Sequence, residues 1–310
     1  MPRSFVILYT GREGSSAIIK AFADRQDIIV PVMEDFDPYA CADLVEGDVP
    51  AILNHMLGTA RFSKGADHQV TRPPAGTLPR PPAVGFKWRI WGDATRIAEV
   101  FREHGVVVFE LLRHDIVNLA LSLYLTNFIL PLERPCRFSE IIHDPNPQFR
   151  TRWLERAAQE EVIKFIRSRE FAVDLHKFIK LMEGYAAGRQ HIRTKYVDVF
   201  RAAGLEVHTS FYEDFLTNPT MFLSRMAELL SIKIDPNREP YYRKVARDDI
   251  RTQVTNLSEL ETSREVLRIK LSYYDRLLKI PLGSSSSPVT MRDVFRDPAG
   301  PSTRYPSPSP

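Results

Sequence analysis

Short, largely apolar runs recur along the chain and are separated by polar turns. The clearest are residues 5–9 (FVILY), 28–32 (IIVPV) and 106–112 (VVVFELL). Runs of this length predict strands that are buried on both faces of a parallel sheet. Two further segments are also predicted to be strands, namely 84–88 (VGFKW) and 205–211 (LEVHTSF), the second from its alternation of Leu205, Val207, Thr209 and Phe211.

Helical patterns lie between these runs. Ala17, Ile18, Ala21 and Phe22 repeat at helical spacing, and residues 153–201 are long, amphipathic and rich in charge. The second segment predicts two helices that cover the sheet or a substrate cleft. Strands that alternate with helices predict an α/β fold with a central parallel sheet, flanking helices and right-handed crossovers.

Two segments do not follow this alternation. Residues 71–83 (TRPPAGTLPRPPA) contain five prolines and are predicted to form a loop within the domain. Residues 283–310 are rich in Ser and Pro, a composition typical of disorder. We therefore predict one domain over 1–282 and a disordered tail over 283–310.

The composition argues against several classes of protein, namely nucleic-acid-binding, disulfide-rich and membrane-spanning proteins. A 44% hydrophobic and 26% charged content is ordinary for a globular protein, and a net charge of +3 is too small to indicate nucleic acid. Two cysteines cannot build a disulfide framework, which favours a reducing compartment. No run approaches the roughly 20 apolar residues of a membrane span, and the N-terminus lacks a cleavage-type segment. We expect a cytoplasmic protein.

The first predicted strand runs directly into a turn of small residues, in VILYTGREGSS (6–16). Such a strand–turn–helix unit directs backbone N–H groups and the helix dipole at an anion, and a phosphate suits that position. Gly11 and Gly14 let the backbone approach, Ser15 and Ser16 can donate hydrogen bonds, and Arg12 adds a planar cation. The lysine of a nucleoside-triphosphate loop is absent. The alternative is an ordinary turn capped by serine.

A second strand–helix unit follows in VVVFELLRHDIVNLALSLYL (106–125). Arg113 ends the strand, Asp115 is a candidate N-cap, and Ser122 lies on the helix. Arg113 and Ser122 can converge on a second phosphate, unless they are a surface arginine and a core-facing serine. Both units lie at carboxyl ends of predicted strands, where open α/β sheets bind ligands, so together they predict a nucleotide with two separated phosphate groups.

These segments resemble a known family. YTGREGSS is similar to the 5′-phosphosulfate loop of sulfotransferases, in the form found in bacterial carbohydrate sulfotransferases, and LLRHDIVNLALS is similar to their 3′-phosphate motif. GFKW, FYEDFLTNP and DDIRTQVTNLSEL follow in the family's order. The resemblance spans about residues 5–260. It implies a P-loop-like domain, 3′-phosphoadenosine 5′-phosphosulfate (PAPS) as the donor, no metal, and a carbohydrate or glycolipid hydroxyl as the acceptor.

The chain departs from the family pattern at two places. Glu13 stands where the family usually has a serine, so it either points outward or weakens donor binding. Arg113 precedes Ser122 by nine positions where many members show eight, and His114 occupies the eight-position place. We favour Arg113 as the 3′-phosphate ligand because its charge does not depend on pH.

The resemblance also implies catalytic residues. Arg12 would neutralise the leaving phosphate. The family carries a base glutamate in the region of IIVPVMEDFDPY (28–39), where Glu34 matches best and Asp35 and Asp37 are alternatives; a solvated acidic turn is the other interpretation. Lys87 is expected to contact the sulfonate or the acceptor, unless it is a surface lysine.

Other family positions are less specific. The two tryptophans near the third strand, Trp88 and Trp91, either stack on a sugar or pack in the core. Tyr212 makes either a structural hydrogen bond or a nucleotide contact. The segment in which the family wraps the nucleotide contains Lys244, Arg247 and Asn256.

Two other functions remain open from the sequence. One is a P-loop kinase-like phosphotransferase, against which the missing loop lysine argues. The other is a non-catalytic nucleotide-binding or scaffold protein, which Glu13 keeps open.

Overall fold

The computed structural model describes residues 1–11, 13–26, 29–35, 47–59, 83–129, 164, 167–238 and 250–278. The strands are β1 (Phe5–Leu8), β2 (Val30–Asp35), β3 (Val84–Trp88), β4 (Val107–Leu112) and β5 (Val207–Phe211). The helices are α1 (Ser15–Ala23), α2 (Val49–Thr59), α3 (Ala94–Glu103), α4 (Ile116–Tyr124), α5 (Leu175–Ile192), α6 (Asp198–Ala202), α7 (Tyr212–Thr217), α8 (Pro219–Leu229), α9 (Leu257–Thr262) and α10 (Arg264–Leu278). The π-helical turn Leu125–Ile129 follows α4, Arg193–Val197 joins α5 to α6, and a 3-10 turn spans Ile250–Gln253.

The described strands form one parallel sheet in the order β2-β3-β1-β4-β5. This confirms the predicted α/β fold with a central parallel sheet between helices. The order places β1 between β3 and β4, so the segments that follow these three strands emerge side by side at one edge of the sheet. The loops that the sequence singled out therefore lie at neighbouring strand ends.

Alternate strand residues point to opposite faces of the sheet and build two apolar cores. On one face Phe5 and Ile7 pack with α1 and α8, and on the other Val6 and Leu8 pack with α2, α3 and α6. Every residue of β1, β3 and β4 is buried, which explains why these strands are almost continuously apolar.

A third apolar cluster joins α4, the first half of α5, α9 and α10 beyond β4. Within the predicted helical region 153–201, α5, the π-helical turn and α6 run without a break from 175 to 202. Apart from residue 164, residues 153–166 lie outside the described residues, so the prediction of two helices stays a prediction. Residues 71–82 of the proline-rich loop and 279–310, which include the predicted tail, lie outside the described residues. The domain boundaries therefore stay a prediction.

Candidate functional site

Glycine geometry shapes the loop between β1 and α1. Gly11 has φ 143° and Gly14 has φ 83°, values that side chains rarely allow. A Cβ atom on Gly14 would come within 2.0 Å of Cε2 of the Tyr212 ring, which packs directly on the loop. Both the backbone conformation and this close contact therefore require glycine at position 14.

Helix α1 begins with the two serines of the motif. The first bonds of the helix run from the N–H groups of Ala17 and Ile18 to the carbonyl of Gly14, at 2.9 and 3.1 Å. The N–H groups of Ser15 and Ser16 precede these bonds and point out of the helix along its dipole. Ser15 is buried and Ser16 is half-buried. The geometry suits an anion at the N-terminus of α1.

Lys87 of β3 reaches this helix N-terminus from the neighbouring strand. Its side chain is buried, with 5% of the residue exposed, so the surface-lysine alternative is wrong. Its Nζ donates a hydrogen bond of 2.9 Å to Oγ of Ser16 and lies 5.5 Å from the centroid of the Tyr9 ring. A cation from β3 thus meets a serine in the first turn of α1.

Glu13 points into the protein, so the alternative in which it points outward is wrong. It is 0% exposed and accepts hydrogen bonds from the backbone N–H of Thr10 at 2.6 Å, the Thr10 hydroxyl at 3.0 Å and the Tyr185 hydroxyl. Nη1 of Arg189 lies 3.6 Å from its Oε1. Burial raises the pKa of Glu13, and the Arg189 charge opposes that rise.

Arg189 belongs to a buried ionic cluster that the sequence analysis did not find. Its Nη2 donates to Oε1 of Glu110 in β4 at 3.0 Å. The second oxygen of Glu110 accepts from Arg193 and from the Thr209 hydroxyl, both at 2.9 Å, and Nη2 of Arg201 lies 3.7 Å away. The signal was present in VVVFELL, because a lone carboxylate in a buried strand requires a buried cation.

Arg113 follows the last residue of β4, as predicted. Its Nε lies 3.6 Å from Oε1 of Glu213, and its guanidinium carbon lies 5.3 Å from the centroid of the Tyr212 ring. The ring of the neighbouring His114 stacks on Phe211 with centroids 3.8 Å apart. Arg113 and Gly14 thus contact the same tyrosine, which relates the two predicted phosphate sites through one side chain.

The start of α4 is capped as predicted. The Asp115 side chain accepts a hydrogen bond of 2.9 Å from the backbone N–H of Asn118, and Nη2 of Arg251 lies 3.1 Å from its Oδ2. Ser122 lies on α4 and is half-buried, and its carbonyl accepts from the Thr126 hydroxyl at 2.8 Å. The role of Ser122 toward a phosphate stays a prediction.

The structure places Glu34 in β2 but does not describe its side chain. The backbone register pairs the next residue, Asp35, with Lys87, so Glu34 lies near the carboxyl end of the strand that neighbours β3. Its role as a base stays a prediction. Arg12 and Asp37 lie outside the described residues.

The remaining family positions divide between packing and surface. Trp88 is 1% exposed and packs in the core, whereas Trp91 is 36% exposed. The side-chain amide of Asn256 makes two hydrogen bonds of 2.9 Å to the backbone of Val173. Its Oδ1 accepts from the Val173 N–H group, and its Nδ2 donates to the Val173 carbonyl, so Asn256 holds this chain segment in place. Lys244 and Arg247 lie outside the described residues.

One comparison with solved structures bears on the fold. No protein-family model matches the chain, and a search of curated proteins finds no match. A crystal structure of a sulfotransferase from Alicyclobacillus acidocaldarius matches 88% of this chain and 96% of that chain, at 15% identity and a TM-score of 0.38. At these values the similarity supports no functional conclusion.

The described ranges show neither a membrane-spanning helix nor a candidate metal cluster. No helix there combines the length and the apolar character that crossing a membrane requires. The same ranges contain no group of three or more His, Cys, Asp or Glu side chains placed to hold a metal ion. A cytoplasmic location and a metal-free reaction stay predictions.

Proposed function

We propose that this protein is a sulfotransferase that uses PAPS as its donor and sulfates a hydroxyl of a carbohydrate or glycolipid acceptor. One observation carries the proposal, namely that the buried Lys87 ammonium binds Ser16 at the N-terminus of α1. The β1–α1 loop lacks the lysine of a nucleoside-triphosphate loop, and a buried lysine from β3 instead reaches the N-terminus of α1. The order of the motifs along the chain supports the same function.

The β1–α1 loop is proposed to hold the 5′-phosphosulfate. Gly14 supports this assignment because its left-handed φ of 83° turns the chain from the loop into α1, whose first N–H groups suit an anion. The hydroxyls of Ser15 and Ser16 add donors, Lys87 adds charge, and we assign Arg12 to the same group.

The end of β4 is proposed to hold the 3′-phosphate. β1 and β4 are paired strands, and paired strands lie about 4.8 Å apart, so their carboxyl ends can contact two phosphates of one nucleotide. Arg113 already faces Glu213 at 3.6 Å, but a guanidinium has five N–H donors and can serve both groups. Ser122 is assigned here from its motif.

The donor supplies an activated sulfuryl group, and transfer to a hydroxyl increases negative charge on the leaving oxygen. Lys87 and Arg12 are proposed to stabilise that charge. Lys87 acts from a buried position, where charge is weakly screened, and the loss of one such group typically lowers the rate by about 10²–10³-fold. Glu34 is proposed to accept the proton of the acceptor hydroxyl at its carboxylate.

The acceptor class is the part of the proposal that depends most on the family resemblance. Trp91 follows β3 at the same edge of the sheet and is 36% exposed. An indole ring of this kind offers an apolar face on which a sugar ring can stack. We therefore place the acceptor near the end of β3, beside Lys87.

Thermal-shift measurements test the donor. Adenosine 3′,5′-bisphosphate at 100 times its dissociation constant should stabilise the protein by about 2.7 kcal/mol, and ATP with magnesium should give a much smaller shift. A large shift with magnesium-ATP alone would instead favour the kinase-like phosphotransferase.

Sulfate transfer from PAPS to a panel of sugars then tests the reaction. Labelled product with a sugar hydroxyl is the expected result. Tight binding of the bisphosphate without transfer to any acceptor would favour the non-catalytic nucleotide-binding protein.

A further inference from the structure

Glu13 binds the start of the very loop in which it lies. Its Oε2 accepts the backbone N–H of Thr10 at 2.6 Å and that of Gly11 at 3.5 Å. The carboxylate therefore uses the first donors of the loop, while those at the N-terminus of α1 face the proposed ligand. Because Arg189 lies 3.6 Å away, the charge of Glu13 is compensated within the protein.

Two buried tyrosines in contact with each other link Glu13 to the end of β4. Tyr185 donates its hydroxyl hydrogen to Glu13, and Tyr273 donates its own to the carbonyl of Arg113 at 2.6 Å. The two rings pack with centroids 5.9 Å apart at 53°. Each hydroxyl has one hydrogen, and both hydrogens are committed to the two proposed phosphate-binding elements.

Ion pairs also connect the β1–α1 loop to β4. Arg189 contacts Glu13 in the β1–α1 loop and Glu110 in β4, the strand that Arg113 follows. Glu13, Arg189 and Glu110 are all buried, with 0, 5 and 0% of each residue exposed. The loop is thus fixed to β4 both by ion pairs and by the tyrosine pair.

We propose that Glu13 is a positioning residue that, through Tyr185 and Tyr273, holds the β1–α1 loop and Arg113 at one fixed separation. The inference rests on the proposed function, which assigns these two elements to the 5′ and 3′ phosphate groups of one nucleotide. A ligand with both groups gains most from a fixed separation, because the protein then has less to order on binding. A ligand with a single phosphate gains much less.

Calorimetric titration of Tyr273→Phe tests this role with two nucleotides. The affinity for adenosine 3′,5′-bisphosphate should fall about fivefold, and that for adenosine 5′-phosphate should change by less than about twofold. Tyr196→Phe is the matched control, since Tyr196 is buried and its hydroxyl donates to the carbonyl of Gly92 at 3.2 Å. It should leave both affinities unchanged.

Equal losses for the two nucleotides, or no loss, would overturn the positioning role. If the wild type binds neither nucleotide, the proposed function fails. Amide hydrogen exchange in the ligand-free protein then tests separately whether the two tyrosines hold the β1–α1 loop and Arg113 in place. Tyr185→Phe and Tyr273→Phe should speed exchange in residues 9–16 and 113–116, and Tyr196→Phe should not. Unchanged exchange rates in both tyrosine variants would show that the tyrosines do not hold these segments in place, which would overturn the positioning role as well.

Discussion

The ammonium of Lys87 and the hydroxyl of Ser16 lie 2.9 Å apart and join the end of β3 to the first turn of α1. A buried lysine requires such partners, because burying an ammonium without them is costly. The positive charge is therefore fixed where the helix dipole also attracts an anion. Two independent features of the fold thus favour negative charge at one point.

Replacing Lys87 with methionine should separate chemistry from binding. We expect turnover to fall by about 10²-fold or more, with a smaller loss of affinity for adenosine 3′,5′-bisphosphate, because the cation acts most strongly on the charge that develops during transfer. Sulfate transfer and calorimetry measure the two effects. Lys195→Met, at an exposed site, should change neither, and normal turnover in Lys87→Met would exclude Lys87 from the reaction.

Gly14→Ala should destabilise the protein by about 2–4 kcal/mol, since it adds both a strained left-handed conformation and a collision with the Tyr212 ring. Chemical denaturation gives the free energy of unfolding. Gly184→Ala is the control: Gly184 lies within α5 with open space around it, so its replacement should stabilise the protein by about 0.5–1 kcal/mol. Similar losses at both positions would contradict the proposed cause.

Arg189→Met should lower the free energy of unfolding by about 3–5 kcal/mol, because it leaves the carboxylates of Glu13 and Glu110 buried without their shared cation. The matched control is Arg96→Met, which removes an exposed pair with Asp48 and should cost less than about 1 kcal/mol. Denaturant titration compares the two. Equal costs would show that the buried cluster contributes no more than a surface pair.

Glu13 should make stability depend on pH in a defined direction. Burial raises its pKa above the usual 4.5, against the opposing charge of Arg189, so the folded state binds the proton more tightly than the unfolded state. The stability due to this group is fully present below pH 4.5 and is lost as the pH rises through the folded pKa.

Glu13→Gln removes this dependence, so the stability of the wild type relative to the variant should fall as the pH rises above about 4.5. Melting temperatures across the pH range measure the difference, while the other titrating groups cancel. Glu99→Gln, at an exposed position of α3, is the control and should keep the wild-type profile. A pH-independent difference between Glu13→Gln and the wild type would contradict the raised pKa.

Glu34→Gln should leave donor affinity within a few-fold of wild type while turnover falls by about 10²-fold or more, because the amide cannot accept a proton. Arg12→Ala should instead lower affinity and turnover together. Asp35→Asn, one position further along β2, is the matched control. If Asp35→Asn lost turnover and Glu34→Gln did not, the role of base would pass to Asp35.

The sequence alone determined the fold and the positions of the strand ends. β3 begins and ends as predicted, β1 begins as predicted, and β4 and β5 end as predicted. The other strand starts differ from the prediction by one or two residues, and the other strand ends differ by one residue in β1 and three in β2. Continuous apolar runs predict buried parallel strands because both faces of each strand must be covered by helices. The N-cap at Asp115 was predictable for a similarly local reason, since an N-cap bonds within its own turn.

Only the tertiary structure decided which charges meet. From the sequence, Glu13 places a negative charge in a loop predicted to bind an anion. In the structure its carboxylate is buried against Arg189 and Tyr185, which belong to α5, far along the chain. The contact of the Tyr212 ring with Gly14 and the hydrogen bond from Lys87 to Ser16 likewise join residues that are far apart in the sequence. Hydrophobic periodicity is set by neighbours in the chain, whereas ion pairs and close packing depend on residues that folding brings together across long sequence separations.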